Sequence, residues 1–118
     1  MNFSKEIPIY LQIENIILEN ILSKKWQTND RIPSVREFAA SLEVNPNTVQ
    51  RTFSRLQEYG ILENRRGVGY FVSDTALSMV QKIVRKQIFE EQIPKLFKSM
   101  KLLNIDKKEL VEFIEKNY

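Results

Sequence analysis

Two helix-start signals stand eleven residues apart in this chain, and they leave little freedom for what lies between them. The first is Ser34-Val35-Arg36-Glu37, a capping box: the Ser34 hydroxyl accepts from the backbone N–H at Glu37 while the Glu37 carboxylate reaches back. The second is Asn45-Pro46-Asn47-Thr48, with Asn45 as N-cap and Pro46 at the first helical position, where its missing N–H is no loss. A helix begun after Ser34 must therefore be short, break over about four residues and restart at Pro46. Its apolar face is Val35, Phe38, Ala39 and Leu42. Short helix, tight break and second helix make a helix-turn-helix.

In the second helix Val49, Phe53 and Leu56 share one face, which must point to a core. The opposite face carries Asn47, Gln50, Arg51, Ser54 and Arg55, with no acid before Glu58. Gly60 ends the helix. Upstream, PIYLQIENIILENILSK repeats apolar groups at spacings of three and four, from Ile9 through Ile13, Ile16, Ile17 and Leu18 to Ile21 and Leu22. That is an amphipathic helix, followed by a polar loop, WQTNDRIP. Downstream, ILEN, RRGVG and YFVSD read as strand, glycine turn and strand. Arg65 and Arg66 sit at the hairpin tip, and Gly67 and Gly69 permit positive φ there. These elements describe a winged helix whose exposed helix face suits the major groove of duplex DNA. Arginine there can grip guanine, and asparagine or glutamine can grip adenine. The N–H groups near Asn45 favour a phosphate, and the paired wing arginines suit the minor groove or backbone.

Composition excludes much else. The chain has no cysteine and no histidine among 118 residues. Disulfides, thiolate or imidazole metal sites, thiol nucleophiles and His-based acid–base schemes are therefore absent. The acids are scattered rather than converging. No enzyme activity, cofactor or metal is expected. Neither a signal peptide nor a membrane-length apolar stretch is evident, so a cytoplasmic protein is expected. The net charge is +3, and all of the excess falls in residues 75–118, which hold nine Lys/Arg against six Asp/Glu. Residues 1–74 balance at nine of each, so the positions of individual arginines say more than the total.

From Thr75 the pattern is helical again. Leu77, Val80, Val84 and Ile88 form one stripe; Phe89, Ile93, Leu96, Met100 and Leu103 form another. The change of stripe just ahead of Pro94 predicts a long helix kinked or broken there. Asn104 offers a stop and Asp106 a new start, after which Leu110, Val111, Phe113 and Ile114 give a last apolar face. This much apolar surface exceeds what a thin appendage covers alone and predicts a homodimer built mainly through residues 77–114. A small-molecule effector between tail helices has room, but no motif announces one.

The stretch PIYLQIENII…RIPSVREFAASLEVNPNTVQRTFSRLQEYGILENRRGVGYFVS resembles the DNA-binding domain of the GntR family of bacterial transcription regulators, over residues 7–73. PSVREFA, the NTV helix start and RRGVGYFV sit at the family's spacing. The short tail and VNPNTVQR are similar to the YtrA-type branch, whose members carry a small helical C-terminal region. The resemblance implies a phosphate contact for Arg36, backbone and base contacts for Asn45, Asn47 and Thr48, and a wing tip at Gly67 that approaches the minor groove. Two departures stand out. Pro46 and Gln50 occupy positions where many relatives have arginine, and this chain places its basic residues at Arg51 and Arg55. Glu43 stands where a glycine is frequent in the turn.

The expected protein is mainly α with a small β-hairpin: a winged helix-turn-helix over residues 1–74, then a helical dimerisation tail over 75–118. Its expected partners are double-stranded DNA and a second copy of itself, with no membrane, and its expected role is a repressor on an inverted-repeat operator. The alternative is a winged-helix adaptor whose basic hairpin meets an acidic protein.

Overall fold

The computed structural model describes residues 7–118. Three helices, α1 (Ile9–Leu22), α2 (Val35–Leu42) and α3 (Pro46–Glu58), are followed by an antiparallel hairpin of β1 (Leu62–Arg65) and β2 (Gly69–Val72). Then come α4 (Ala76–Gln87), a π-helical turn at Ile88–Gln92, α5 (Ile93–Leu102) and α6 (Lys107–Asn117). The fold is a winged helix-turn-helix followed by a helical tail.

Both start signals form as the sequence requires. The Glu37 N–H donates to Ser34 Oγ at 3.1 Å and the Ser34 N–H donates to Glu37 Oε1 at 3.2 Å. Asn45 Oδ1 accepts from the Asn47 N–H at 2.8 Å, with Pro46 in the first turn of α3. Each helix of the pair ends on a left-handed residue, Glu43 (φ 57°) and Gly60 (φ 74°). In both cases the N–H of that residue and of the one after it return to the last turn: Glu43 to Ala40 and Val44 to Ala39, then Gly60 to Gln57 and Ile61 to Leu56. This closure satisfies carbonyls that the helix end would otherwise leave free.

The core of the winged helix is Ile13, Ile17, Ile21, Phe38, Val49, Phe53, Leu56, Ile61, Leu62 and Val72, all buried. An edge-to-face aromatic series crosses it, from Trp26 to Phe38 to Phe53 to Tyr70, with centroid separations of 6.2, 5.9 and 4.9 Å. Such pairs contribute about 0.5–1.5 kcal/mol each beyond their burial. The loop expected at WQTNDRIP does more than connect. The Asn29 N–H bonds the Val72 carbonyl at 2.8 Å and the Ile32 N–H bonds the Tyr70 carbonyl at 3.0 Å. Arg31 thereby pairs with Phe71 on the free edge of β2.

The chain divides into two compact units, one through Lys82 and the other from Ile83 to Tyr118. The division falls inside α4 rather than at residue 74, where the hairpin ends, because Ala76 and Val80 are fully buried in the first unit. Val80, expected on a dimer face, is thus a core residue of its own chain. Met100, also expected there, is buried as well. Others of that set are open: Phe89, Leu96, Leu103, Phe113 and Ile114 are exposed, Leu103 by 70% and Phe113 by 64%. Leu77, Val84, Ile93 and Leu110 are half-buried and Ile88 is exposed. Ahead of Pro94 the helical ladder widens instead of breaking: the Ile93 N–H reaches back five residues to the Ile88 carbonyl. Proline has no N–H and its ring collides with the carbonyl four residues back, and a π turn relieves both conflicts.

Candidate nucleic-acid interface

The outer face of α3 is positioned by what its inner face buries. Val49, Phe53 and Leu56 are fully buried, and Thr52 beside them donates its hydroxyl to the Tyr10 carbonyl of α1 at 2.7 Å. That fixes the helix rotation, so Asn47, Gln50, Arg51 and Ser54 are exposed, with Thr48 half-buried. The hairpin is held against this face. Gln50 Nε2 donates to Tyr70 Oη at 3.1 Å and to Ser54 Oγ at 3.2 Å, so one side chain links α3 to β2. At the wing tip the Val68 N–H bonds the Arg65 carbonyl at 2.9 Å, and Gly67 supplies the φ of 76° that this turn needs.

The arginines separate into two kinds. Arg55, expected to point outward as a free cation, is instead tied to its own chain. Its Nε lies 3.1 Å from Glu14 Oε1, and a terminal N–H donates to Tyr59 Oη at 3.1 Å. The hydrogen bond to Glu14 raises its pKa above the ordinary arginine value. Glu14 itself is buried on α1, and a buried carboxylate requires such a partner. Arg65 is likewise engaged: it pairs with Glu63 at 3.3 Å, donates to Asn29 at 3.3 Å, and lies 3.9 Å above the Phe71 ring. Of the two wing-tip arginines paired in the sequence, Arg65 is thus held by its own chain, whereas Arg66 is exposed and makes no ion pair among the described residues.

Arg36, Arg51 and Arg66 are exposed and make no ion pair among the described residues. Arg51 rests on an aromatic face instead, its guanidinium carbon 3.7 Å from the centre of the Tyr10 ring. Sequence reasoning missed this contact between Tyr10 and Arg51. It also missed Glu14, Arg31 and Tyr70. Arg31 is exposed on the β2 edge, and Gly69 leaves room for it: a Cβ at 69 would stand 3.0 Å from Arg31 Nε. No local signal in WQTNDRIP marks that pairing with β2.

Among the described residues no group of three acids is placed to hold a metal, and no helix is long and apolar enough to cross a membrane. A short helix, a left-handed turn, an open second helix and a basic-tipped hairpin locked beside it define a winged helix-turn-helix protein. Residues 9–72 match the family of bacterial regulatory proteins described as the gntR family, and the chain belongs to it. It is 39% identical over 113 residues to the HTH-type transcriptional regulator YhcF of Bacillus subtilis, covering 96% of this chain and 92% of that one. It is 32% identical over 108 residues to the HTH-type transcriptional repressor YtrA of the same organism, covering 92% and 82%. Among solved structures, a GntR family transcriptional regulator from Listeria monocytogenes superposes with a TM-score of 0.80 at 30% identity, over 98% of this chain and all of that one. The chain is thus a helix-turn-helix transcriptional regulator of the short, YtrA-type kind, and not an enzyme.

Proposed function

We propose that this regulator binds double-stranded DNA sequence-specifically, as a cytoplasmic homodimeric repressor on an inverted-repeat operator. One observation carries the reading: the protein neutralises Arg55 and Arg65 with its own carboxylates but, among the described residues, gives Arg36, Arg51 and Arg66 no ion pair. Unpaired cations on the start of α2, the outer face of α3 and the wing tip are what a polyanion with grooves requires. The name of the YtrA relative favours repression over activation. In this reading Arg36 and the N–H groups at the start of α3 near Asn45 hold phosphates. Asn47, Thr48, Arg51 and Ser54 face the major groove, and Arg66 with Gly67 approaches the neighbouring backbone or minor groove. Gln50 takes part from its tie to Tyr70, while Arg55 and Arg65 set the shape of the surface. The exposed apolar groups of the tail supply the contact between copies, and the twofold axis relates the two half-sites.

Selection of bound fragments from random duplex DNA tests this directly. The expected result is enrichment of a twofold-symmetric sequence. Arg51→Ala should relax preference at one position of each half-site by about 1–3 kcal/mol. If Arg51→Ala lowers affinity for operator and random duplex equally, Arg51 has no readout role. Absence of any gel shift on duplex at moderate salt would instead favour the adaptor reading.

A further inference from the structure

The start of α1 shapes the presentation of α3's cations, and the contacts there are specific. The Tyr10 ring lies under two guanidiniums, with Arg51 at 3.7 Å from its centre and Arg55 at 5.3 Å. Two cations over one ring would repel each other if both kept their charge uncompensated. Glu14, one turn along α1 from Tyr10, removes that conflict by pairing with Arg55 at 3.1 Å. Arg55 is further anchored by Tyr59. Among the described residues, Arg51 is therefore left as the cation of α3 without an ion-pair partner. The Tyr10 backbone is anchored to α3, since its carbonyl accepts from the buried Thr52 hydroxyl at 2.7 Å, one residue beyond Arg51.

From this arrangement we infer that Tyr10 is a positioning residue for DNA readout, holding the Arg51 guanidinium in a fixed plane. The inference rests on the proposed DNA-binding function and adds to it a residue outside the helix-turn-helix. An arginine stacked on an aromatic face keeps its N–H donors free around the rim of the plane. Bidentate recognition of guanine O6 and N7 needs such a planar fork at a set angle. On an open helix face the same side chain samples many rotamers, and ordering it on contact costs conformational entropy. A shelf removes part of that cost before DNA arrives, and it does so without touching DNA. A lysine at position 51 would retain the charge but lose the fork.

The test compares wild type, Tyr10→Phe, Tyr10→Met and Arg51→Lys by selection from random duplex DNA, with thermal melts on each. Tyr10→Phe keeps the ring and is expected to select the wild-type sequence with the same stringency. Tyr10→Met keeps apolar bulk without a π face. It is expected to lose about tenfold in discrimination at the position that Arg51→Ala relaxes, with random-duplex affinity within about twofold of wild type. Arg51→Lys should show the same loss at that position. Undiminished preference in Tyr10→Met, or in Arg51→Lys should Tyr10→Met fail to fold, overturns the shelf. A uniform loss at every position in Tyr10→Phe overturns it too, because a ring with the same face would then not suffice. The wild-type arm separates the two levels: selection of no sequence by wild type removes the DNA-readout function and this inference together, whereas selection that Tyr10→Met leaves intact removes the inference alone.

Discussion

Glu43 holds φ 57° and ψ 45° at the end of α2, a conformation that costs a side-chain-bearing residue about 1–2 kcal/mol. Such a conformation favours glycine, and it arises because the chain must turn between α2 and α3 within three residues. Glu43→Gly should relieve the strain and return part of the gain to unfolded-state entropy, for a net increase of about 0.5 kcal/mol in urea unfolding. A decrease would mean that the glutamate side chain does something its exposed position does not show. The two arginines of α3 make a second contrast at this scale. Arg55→Ala strands the buried Glu14 carboxylate and should cost about 1–3 kcal/mol of stability, less than a fully buried pair because Arg55 is one-third exposed. Adding Glu14→Leu should recover most of that loss. Arg51→Ala removes an exposed side chain from an aromatic face and should change stability by less than about 1 kcal/mol while altering DNA selection. Chemical denaturation of the three variants separates the structural arginine from the reading one.

The elements of the helix-turn-helix begin where the sequence says because their caps are local, and one of those caps carries a charge. Glu37 is held below the ordinary carboxylate value near 4.5, first by the Ser34 backbone N–H and then by the Ser34 hydroxyl, against desolvation, with the Arg31 charge adding a smaller pull in the same direction. A carboxylate depressed on folding contributes stability in full above its unfolded pKa, and that contribution is lost as pH falls through the lower folded value. The α2 start should therefore weaken below pH 4.5, and Glu37→Gln should flatten that part of the acid limb in pH-dependent melts. An unchanged limb would assign the acid sensitivity to other carboxylates. Local signals of this kind, spanning three or four residues, made α2, α3, the hairpin and α6 legible before any coordinates. Contacts between distant positions were not. Glu14 and Arg55 are 41 residues apart, and the Asn29 and Ile32 pairing with β2 joins segments that read separately as loop and strand. The outward face of α3 was right in phase but not in occupancy, since periodicity places a side chain without naming its partner. In the tail the stripe change ahead of Pro94 was visible, yet whether the ladder breaks or widens depends on hydrogen bonding that residue type does not specify.

For the whole molecule, the open question is how many copies reach DNA together. The tail leaves Leu102, Leu103 and Phe113 exposed by 75%, 70% and 64%, more apolar surface than a short monomeric appendage ordinarily shows to water. Sedimentation at micromolar concentration should therefore give a dimer, and Leu103→Glu with Phe113→Glu should shift it to monomer without loss of helix content. The number of copies on DNA has an independent electrostatic signature. Each phosphate neutralised by an arginine contributes about 0.9 to the slope of log K against log salt. Arg36 is exposed, carries no carboxylate partner among the described residues, and is assigned here to a phosphate. Arg36→Ala should thus lower affinity on every sequence and reduce that slope by about 0.9 if one copy binds, or about 1.8 if two do. The dimer on an inverted repeat requires the larger value on operator DNA, with the double tail variant falling back to the smaller. A slope that does not move with Arg36→Ala would take the start of α2 off the phosphate backbone, whatever the oligomeric state.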